Sequence, residues 1–517
     1  MKLKNIILRS LVVLSLLAGL VSCSKWLAVD MEDSIMEDKL FSTNEGFLTA
    51  LNGVYSTMNV NYSSVMMMGA LDVMAQYYNV AKNSNHAFNA YATFKFDQFK
   101  SVSNSLWTSQ YAMIANLNTI LDHYEKDNSV IVEAYAPYIK GEALALRAFL
   151  HFDLLRLYGP IYSEATSSEV CLPYQATVSK DIQPLITAAQ FIDNVIKDLE
   201  AASTLLEKDR IREEGVLNGA SEDLNEGTAL RYRQYRMNYY AVRSLLARAY
   251  LWKGDKAKAY EIATDVILEN FEKSTFPWAK PADVTSATAP DLIFSSEVIF
   301  STYNTSRTKL FDSMFKNTVK TNGILTFKGS TKADGDFFSK LTYVYDDFND
   351  FRRSYQWDEK EVDITNADGA VTGTETILTF MKFQDVSNEK NRYMIPLVRL
   401  SELYLIAAEC APTPTEAISA LNTIRAARNC TRLDETLEQA EIDKQITLEY
   451  MREMIGEGQL FFHYKRLAKT SILSGTDFGQ EESWYGPAGL AEGSFEMSLS
   501  NYVWPMPEVE ANKRITK

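Results

Sequence analysis

Histidine and cysteine are scarce, with four of each in 517 residues. A metal centre built from clustered imidazoles and thiolates needs more ligands in one place, so metalloenzymes of that kind do not fit. Basic residues are in deficit too: 52 Lys and Arg stand against 67 Asp and Glu, a formal charge of −15. Phosphate neutralisation needs clustered cations, which argues against a nucleic-acid partner. There is no phosphate-binding glycine loop, no Gly-x-Ser-x-Gly elbow and no His-Glu-x-x-His, so no motif implies a cofactor or singles out a catalytic group. Long apolar runs are missing as well. Leu11 to Leu20 is a ten-residue apolar stretch, and a helix of that length covers about 15 Å of a hydrocarbon core about 30 Å thick.

What is present is a globular chain, 46% hydrophobic and 12% aromatic, with 28 Tyr, 26 Phe and 7 Trp. That content excludes disorder. The length fits roughly three domains or one large helical repeat domain. Aromatics on this scale serve a core or a stacking surface, and the count alone does not separate the two.

The first segment reads as an export signal. Lys2, Lys4 and Arg9 precede the apolar run, which ends in Leu20-Val21-Ser22-Cys23. This resembles a bacterial lipobox, in which cleavage leaves Cys23 as a lipidated N-terminus. The plainer alternative is an ordinary signal peptide with an incidental cysteine. Loss of residues 1–22 would remove three cations and bring the charge to −18. Acyl chains on Cys23 would hold the protein at a membrane without a spanning helix. Cys171, Cys410 and Cys430 are left. Placed on an antiparallel helix pair, Cys410 and Cys430 fall about 20 Å apart, too far to bridge, and all three read as structural thiols.

Beyond the signal the periodicity is helical. Apolar residues at helix spacing mark 105–124 and 136–158, the second stopped by Gly159-Pro160. Further helices are expected at 185–207, 236–253, 256–270, 397–411, 414–429 and 441–455. The stretch from about 271 to 395 differs, with Pro277, Pro281, Pro290 and short β-like runs such as Val298 to Tyr303. It is too long for a simple loop and is expected to pack on the helices and carry function. In Leu245 to Asp255 small and large residues alternate, a Gly254-Asp255 turn follows, and Ala257, Ala259 and Ala263 open another helix. This resembles a tetratricopeptide helix pair, as does Leu403–Ala411 with Thr415–Arg425, against the blander reading of generic helical hairpins.

Several motifs resemble the SusD/RagB family of outer-membrane lipoproteins along nearly the whole chain. After Cys23-Ser24-Lys25-Trp26-Leu27 come Phe41-Ser42-Thr43 and Leu51-Asn52-Gly53-Val54-Tyr55. Trp107, Tyr111 and Ile114-Ala115-Asn116 are followed by Gly141 to Phe149, Phe152-Asp153-Leu154 and Leu157-Tyr158-Gly159. Later matches are Pro396 to Leu405, Ala408-Glu409, Leu421 to Arg425, Glu457-Gly458 and Trp504-Pro505-Met506-Pro507 with Glu510 and Asn512. Two departures are Gln459 in place of an Arg and Arg428-Asn429-Cys430 in place of Arg-Ala-Gly.

The resemblance implies a mainly α fold: tetratricopeptide-like helix pairs supporting an irregular, loop-rich ligand region with a few short strands. The expected divisions are a signal at 1–22, a tether at 23–40, helical halves at 41–270 and 396–517, and the ligand region at 271–395. It also implies a non-enzymatic cell-surface protein that captures oligosaccharides, or in some branches peptides, for a TonB-dependent transporter of the SusC type.

Sugar capture needs flat, exposed aromatic faces with amides or carboxylates nearby. Two regions offer these: Asp72, Gln76, Tyr77, Tyr78 and Asn79 with the polar run 82–90, and Trp278 with Tyr303, Asn304 and Arg307. The bland reading makes Tyr77 and Tyr78 helix core. Trp357, Trp107 and Trp252 read more simply as packing, as does the Met66-Met67-Met68 run. A glycosidase would need a carboxylate pair, which no motif marks. Glu142 and Glu402 are expected to pair with Arg147 and Arg399. A pure interaction scaffold is the third class.

Overall fold

The computed structural model describes residues 36–62, 68–219, 230–316, 319, 323–327, 340–365, 370–386, 391–474 and 494–515. Cys23 and the export signal lie outside the described residues, as do Met66 and Met67. The helices used below are α1 (Asn44–Asn61), α2 (Ala70–Met74), α3 (Lys100–Lys126), α4 (Ala136–Tyr158), α5 (Ala188–Leu205), α6 (Tyr239–Lys253) and α7 (Lys256–Lys273). After them come α8 (Arg307–Met314), α9 (Leu400–Cys410), α10 (Pro414–Ala427), α11 (Gln439–Met454) and α12 (Gln459–Arg466).

Local chemistry sets their ends. The Thr187 hydroxyl and the Gln190 side chain form a reciprocal capping box that starts α5. Asn238 accepts from the Ala241 amide to start α6, and Gly254, at φ 88°, ends it in the left-handed region. Asp255 then accepts from the Lys258 amide and opens α7. Helix α4 is apolar nearly all round and is almost entirely buried, as a central helix must be. Its last carbonyls have an unusual partner. Buried Lys465 donates to Arg156 O at 2.7 Å and Gly159 O at 2.8 Å.

The order α3, α4, α5, α6, α7, α9, α10, α11 describes one stacked array in which each helix packs on the next. The array is interrupted in sequence but not in space: α7 packs directly on α9, although more than a hundred residues separate them. The fold is therefore mainly helical with tetratricopeptide-like pairs, as the sequence indicated. Three thiols, Cys171, Cys410 and Cys430, are free. Among the described residues no helix is long and apolar enough to cross a membrane.

The described residues of the excursion between α7 and α9 hold more strand than their sequence suggested. Strand β3 (Val298–Tyr303) pairs antiparallel with β7 (Met394–Arg399), Tyr303 opposite Met394. A hairpin of β5 (Trp357–Thr365) and β6 (Val371–Phe380) carries short β4 (Thr326–Phe327) on its other edge. Two small pairs, β1 (Val170–Pro173) with β2 (Leu185–Thr187) and β8 (Ser471–Leu473) with β9 (Ser494–Glu496), complete the strands used here. Two expected helices are shorter than their apolar pattern: 185–187 and 394–399 are strand, and Pro396, lacking an amide hydrogen, sits in β7.

A buried ion lattice ties this excursion to the array. Glu453 on α11 accepts from Arg352 at 2.7 Å, Arg399 at 2.7 Å and Arg428 at 2.6 Å. Arg428 also binds Glu297 at 2.6 Å. Arg352 binds Asp350 at 2.7 Å, Lys382 binds Glu457 at 2.6 Å and Arg452 binds Glu449 at 2.8 Å. Equal numbers of cations and carboxylates are sealed from water, and three guanidiniums hold the Glu453 carboxyl well below the usual range against its burial. Two expected ion pairs are corrected. Glu142 pairs with Arg233 and Arg236, and Glu402 with Arg248. Arg147 instead binds Asp198, and Arg399 joins the lattice, because neighbours in the stack outcompete neighbours in sequence.

Candidate functional site

The first expected binding region is core. Asp72, Gln76, Tyr77 and Tyr78 are all buried. Asp72 accepts from the amides of Gly456 and Gly458, tying α2 to the turn before α12. Gln76, with φ 58°, donates to Ala92 O at 2.8 Å, and Tyr77 donates to Met451 O at 2.8 Å. Tyr78 packs among Tyr77, Phe315 and Phe327. The amide of half-buried Asn79 donates to Thr326 O. The expectation of an exposed platform here is corrected: the segment lies under the β4 edge instead of at the surface. Within the polar run, residues 82–85 are exposed, while His86 and Asn89 turn inward.

Of the second region, Tyr303 alone is exposed, at 44%. Trp278 is half-buried against Tyr404 of α9, rings 5.3 Å apart, with the Arg428 guanidinium 5.3 Å from its ring. It packs on the ion lattice and is not a free platform. Asn304 is buried: its side chain donates to Asn59 O and accepts from the Ser306 amide. Arg307 is buried too, donating to the carbonyls of Asn391, Met394 and Gln384 at 2.8, 3.0 and 3.2 Å. Burial lowers its pKa to about 10. Asn304 and Arg307 thus brace the backbone from inside the fold. What they brace is the segment that carries Asp385, Arg392 and Tyr393.

Around Tyr303 a surface assembles. Its ring meets Tyr235 at 5.4 Å and Tyr393 at 5.3 Å, both edge-on. The Tyr303 amide donates to the Asn59 side chain of α1. Arg392 stacks over Tyr393 at 5.6 Å and grips Asp385 with two bonds of 2.8 and 2.7 Å. Those bonds hold the Asp385 carboxyl below the usual range, helped by the Thr308 hydroxyl. Asp385 lies at the join between this aromatic cluster and a cleft of about 450 Å³, lined among others by Thr308, Asp312, Lys360, Thr379 and Gln384. The cleft is walled by α8 on one side and by the β5–β6 hairpin on the other. A second cavity, of about 30 Å³ beside Arg248 and Trp252, has room for about two waters and no sugar.

The arrangement suits capture better than chemistry. Aromatic rings offer apolar faces to C–H groups, while the amide, hydroxyl and paired charges offer donors and acceptors on both sides. Among the described residues no group of His, Cys, Asp and Glu is arranged to hold a metal. Sequence reading missed Tyr235, Tyr393, Arg392, Asp385 and the cleft. The available signal was Asn391-Arg392-Tyr393, an amide, a cation and a ring in succession just ahead of a buried strand.

Comparison with known proteins agrees with this architecture. A family model described as starch-binding and associating with the outer membrane matches residues 25–251. A second, described as the SusD family, matches residues 296–515. A curated SusD-like protein of Formosa agariphila is 28% identical over 207 residues, 39% of this chain and 37% of that protein. The match therefore spans well under half the length of that relative. Among solved structures, a SusD-like carbohydrate-binding protein of Bacteroides vulgatus superposes with a TM-score of 0.64 at 18% identity, covering 91% of this chain and 96% of the other. A SusD superfamily protein of the same species gives 0.63 at 22%, covering 92% and 97%. Surface glycan-binding protein A of Bacteroides thetaiotaomicron gives 0.58 at 16%, covering 92% and 98%.

Proposed function

Since the chain belongs to the SusD/RagB family, we propose that it is a cell-surface lipoprotein that captures oligosaccharides and passes them to a TonB-dependent transporter of the SusC type. The observation that carries this reading is the Tyr303 surface: an exposed ring in an edge-on cluster, continuous through Asp385 with a polar cleft of sugar size. Binding without covalent change is the proposed mechanism. A pyranose lies on Tyr303, its hydroxyls meet Asn59, Asp385 and Arg392, and the ligand leaves when the transporter opens. The Bacteroides thetaiotaomicron neighbour is a surface glycan-binding protein, which supports the ligand class. The lipobox at Leu20–Cys23 supports anchoring to outer-membrane lipid through Cys23.

Calorimetry against neutral glycans and peptides tests the reading. A glycan should bind, be recovered intact, and bind about tenfold more weakly to Tyr303→Ala. Hydrolysed glycan would indicate a glycosidase, binding of peptides alone would indicate peptide capture, and binding of nothing would leave a scaffold. Cys23→Ala should release the protein from membranes; retention of that variant would overturn the anchor.

A further inference from the structure

Arg352 and Arg353 are adjacent but have opposite surroundings. Arg352 is sealed inside the lattice, bound to Asp350, Glu449 and Glu453. Arg353 pairs with no carboxylate among the described residues, and its Nε is buried without a hydrogen-bond partner. Its guanidinium lies 4.3 Å from the ring centre of Phe348, which is 64% exposed. Tyr355, 40% exposed, stands 6.3 Å from half-buried Phe351, and Phe351 anchors the group on Ala279, Val284 and Phe294. Nearby acids are already engaged. Asp350 is held by Arg352, Asp346 by Arg425 and Arg452, and Asp347 by the amides of Asn349 and Thr431.

On a chain of charge −15, a half-buried guanidinium with no ion-pair partner among the described residues stands beside the exposed ring of Phe348. A carboxylate answers the guanidinium in bidentate fashion, and a ring with one apolar face answers the aromatic ring. We propose that Phe348 and Arg353 form a second sugar-binding surface, separate from the Tyr303 cluster, that takes a hexuronate residue of an acidic oligosaccharide. The sugar's C–H groups meet the exposed edge of Phe348, and its carboxylate receives N–H bonds from Arg353. This proposal rests on the glycan reading above and adds to it a preference for acidic over neutral sugars.

The test uses the full chain and calorimetry with oligogalacturonate and oligomannuronate, each beside its carboxyl-reduced counterpart. A charge-assisted bond is lost on reduction, so at least one acidic form should bind about tenfold tighter than its neutral counterpart. Arg353→Gln should abolish that difference and leave neutral binding unchanged; Arg353→Lys should keep part of it. Phe348→Ala should weaken the acidic ligand alone. Tyr303→Ala should weaken neutral and acidic ligands together. An equal affinity for acidic and reduced forms overturns the proposal, as does a preference that survives Arg353→Gln. Absence of binding to any glycan overturns the glycan reading and this one with it. Loss of all binding in Tyr303→Ala, with no effect of Arg353→Gln, leaves the first reading standing and removes the second. Thermal melts confirm that each variant is folded.

Discussion

Around Glu453, Arg, Lys, Glu and Asp side chains are sealed from water and matched charge for charge; around Tyr303, similar residue types stand half-open to solvent. The lattice joins the start of β3, the end of β7, Asp350 and Arg352, the end of α10 and helix α11 into one frame. The surface hangs from that frame through Arg307, whose guanidinium holds the backbone that carries Arg392 and Tyr393. Position in the stack, not residue type, decides which charges lock the fold and which are left to meet a ligand. The frame breaks most easily at Glu453, its centre. Glu453→Ala leaves three buried guanidiniums short of a carboxylate, and should cost about 3–5 kcal/mol or prevent folding. Urea denaturation measures it, and a loss below about 1 kcal/mol would mean that the lattice is not what joins the two regions.

Acid offers a second way to separate frame from surface. His151 is buried in α4, with Nδ1 on Arg147 O and Nε2 accepting from the Gln175 amide. Burial lowers its pKa to about 3, and that of His463 likewise to about 3, from an ordinary 6.5. A base whose folded pKa is depressed contributes stability that is complete above its unfolded pKa and is lost as pH falls toward the folded one. Stability should therefore fall between pH 6.5 and about 3, by up to about 1.4 kcal/mol per pH unit for each histidine. The slope should be shallower in His151→Asn. An equal slope in the variant would show that other groups govern the acid response. Above pH 5, glycan affinity should stay flat, since Asp385 at the surface is held ionised by Arg392.

How much of this was legible depended on distance along the chain. Helix pairs were readable because α6, its Gly254-Asp255 turn and α7 are written in consecutive residues, and β3 was visible as Val298–Tyr303. Pairings across the stack were not. Nothing local assigns Glu402 to Arg248 or Glu142 to Arg233, because those contacts exist only once α4, α6 and α9 are side by side. Burial was the larger failure. Tyr77-Tyr78 and Tyr303 each stand between a polar residue and an Asn in sequence, and what distinguishes them is whether β4 covers them or β3 ends at solvent. Tyr303→Ala sharpens that difference from the surface side. It should reduce glycan affinity about tenfold while changing stability by about 0.5 kcal/mol or less. A lowered melting temperature with unchanged affinity would move Tyr303 into the frame.

The smallest effect tests the frame side of the same pair of tyrosines. The Tyr77 hydroxyl makes a bond to Met451 O, but the Tyr78 hydroxyl is buried without a partner. Removing a satisfied hydroxyl should cost about 1 kcal/mol, whereas removing an unsatisfied one eliminates a desolvation penalty and should be neutral or stabilising by up to about 1 kcal/mol. Tyr77→Phe should thus melt lower than the parent and Tyr78→Phe at the same temperature or higher, with glycan affinity unchanged in both. A loss of affinity in Tyr78→Phe would mean that its hydroxyl meets a ligand after all and that the β4 edge lifts to admit one. An unchanged affinity leaves the two tyrosines as packing for the floor beneath β4, and assigns sugar stacking to the rings that reach solvent.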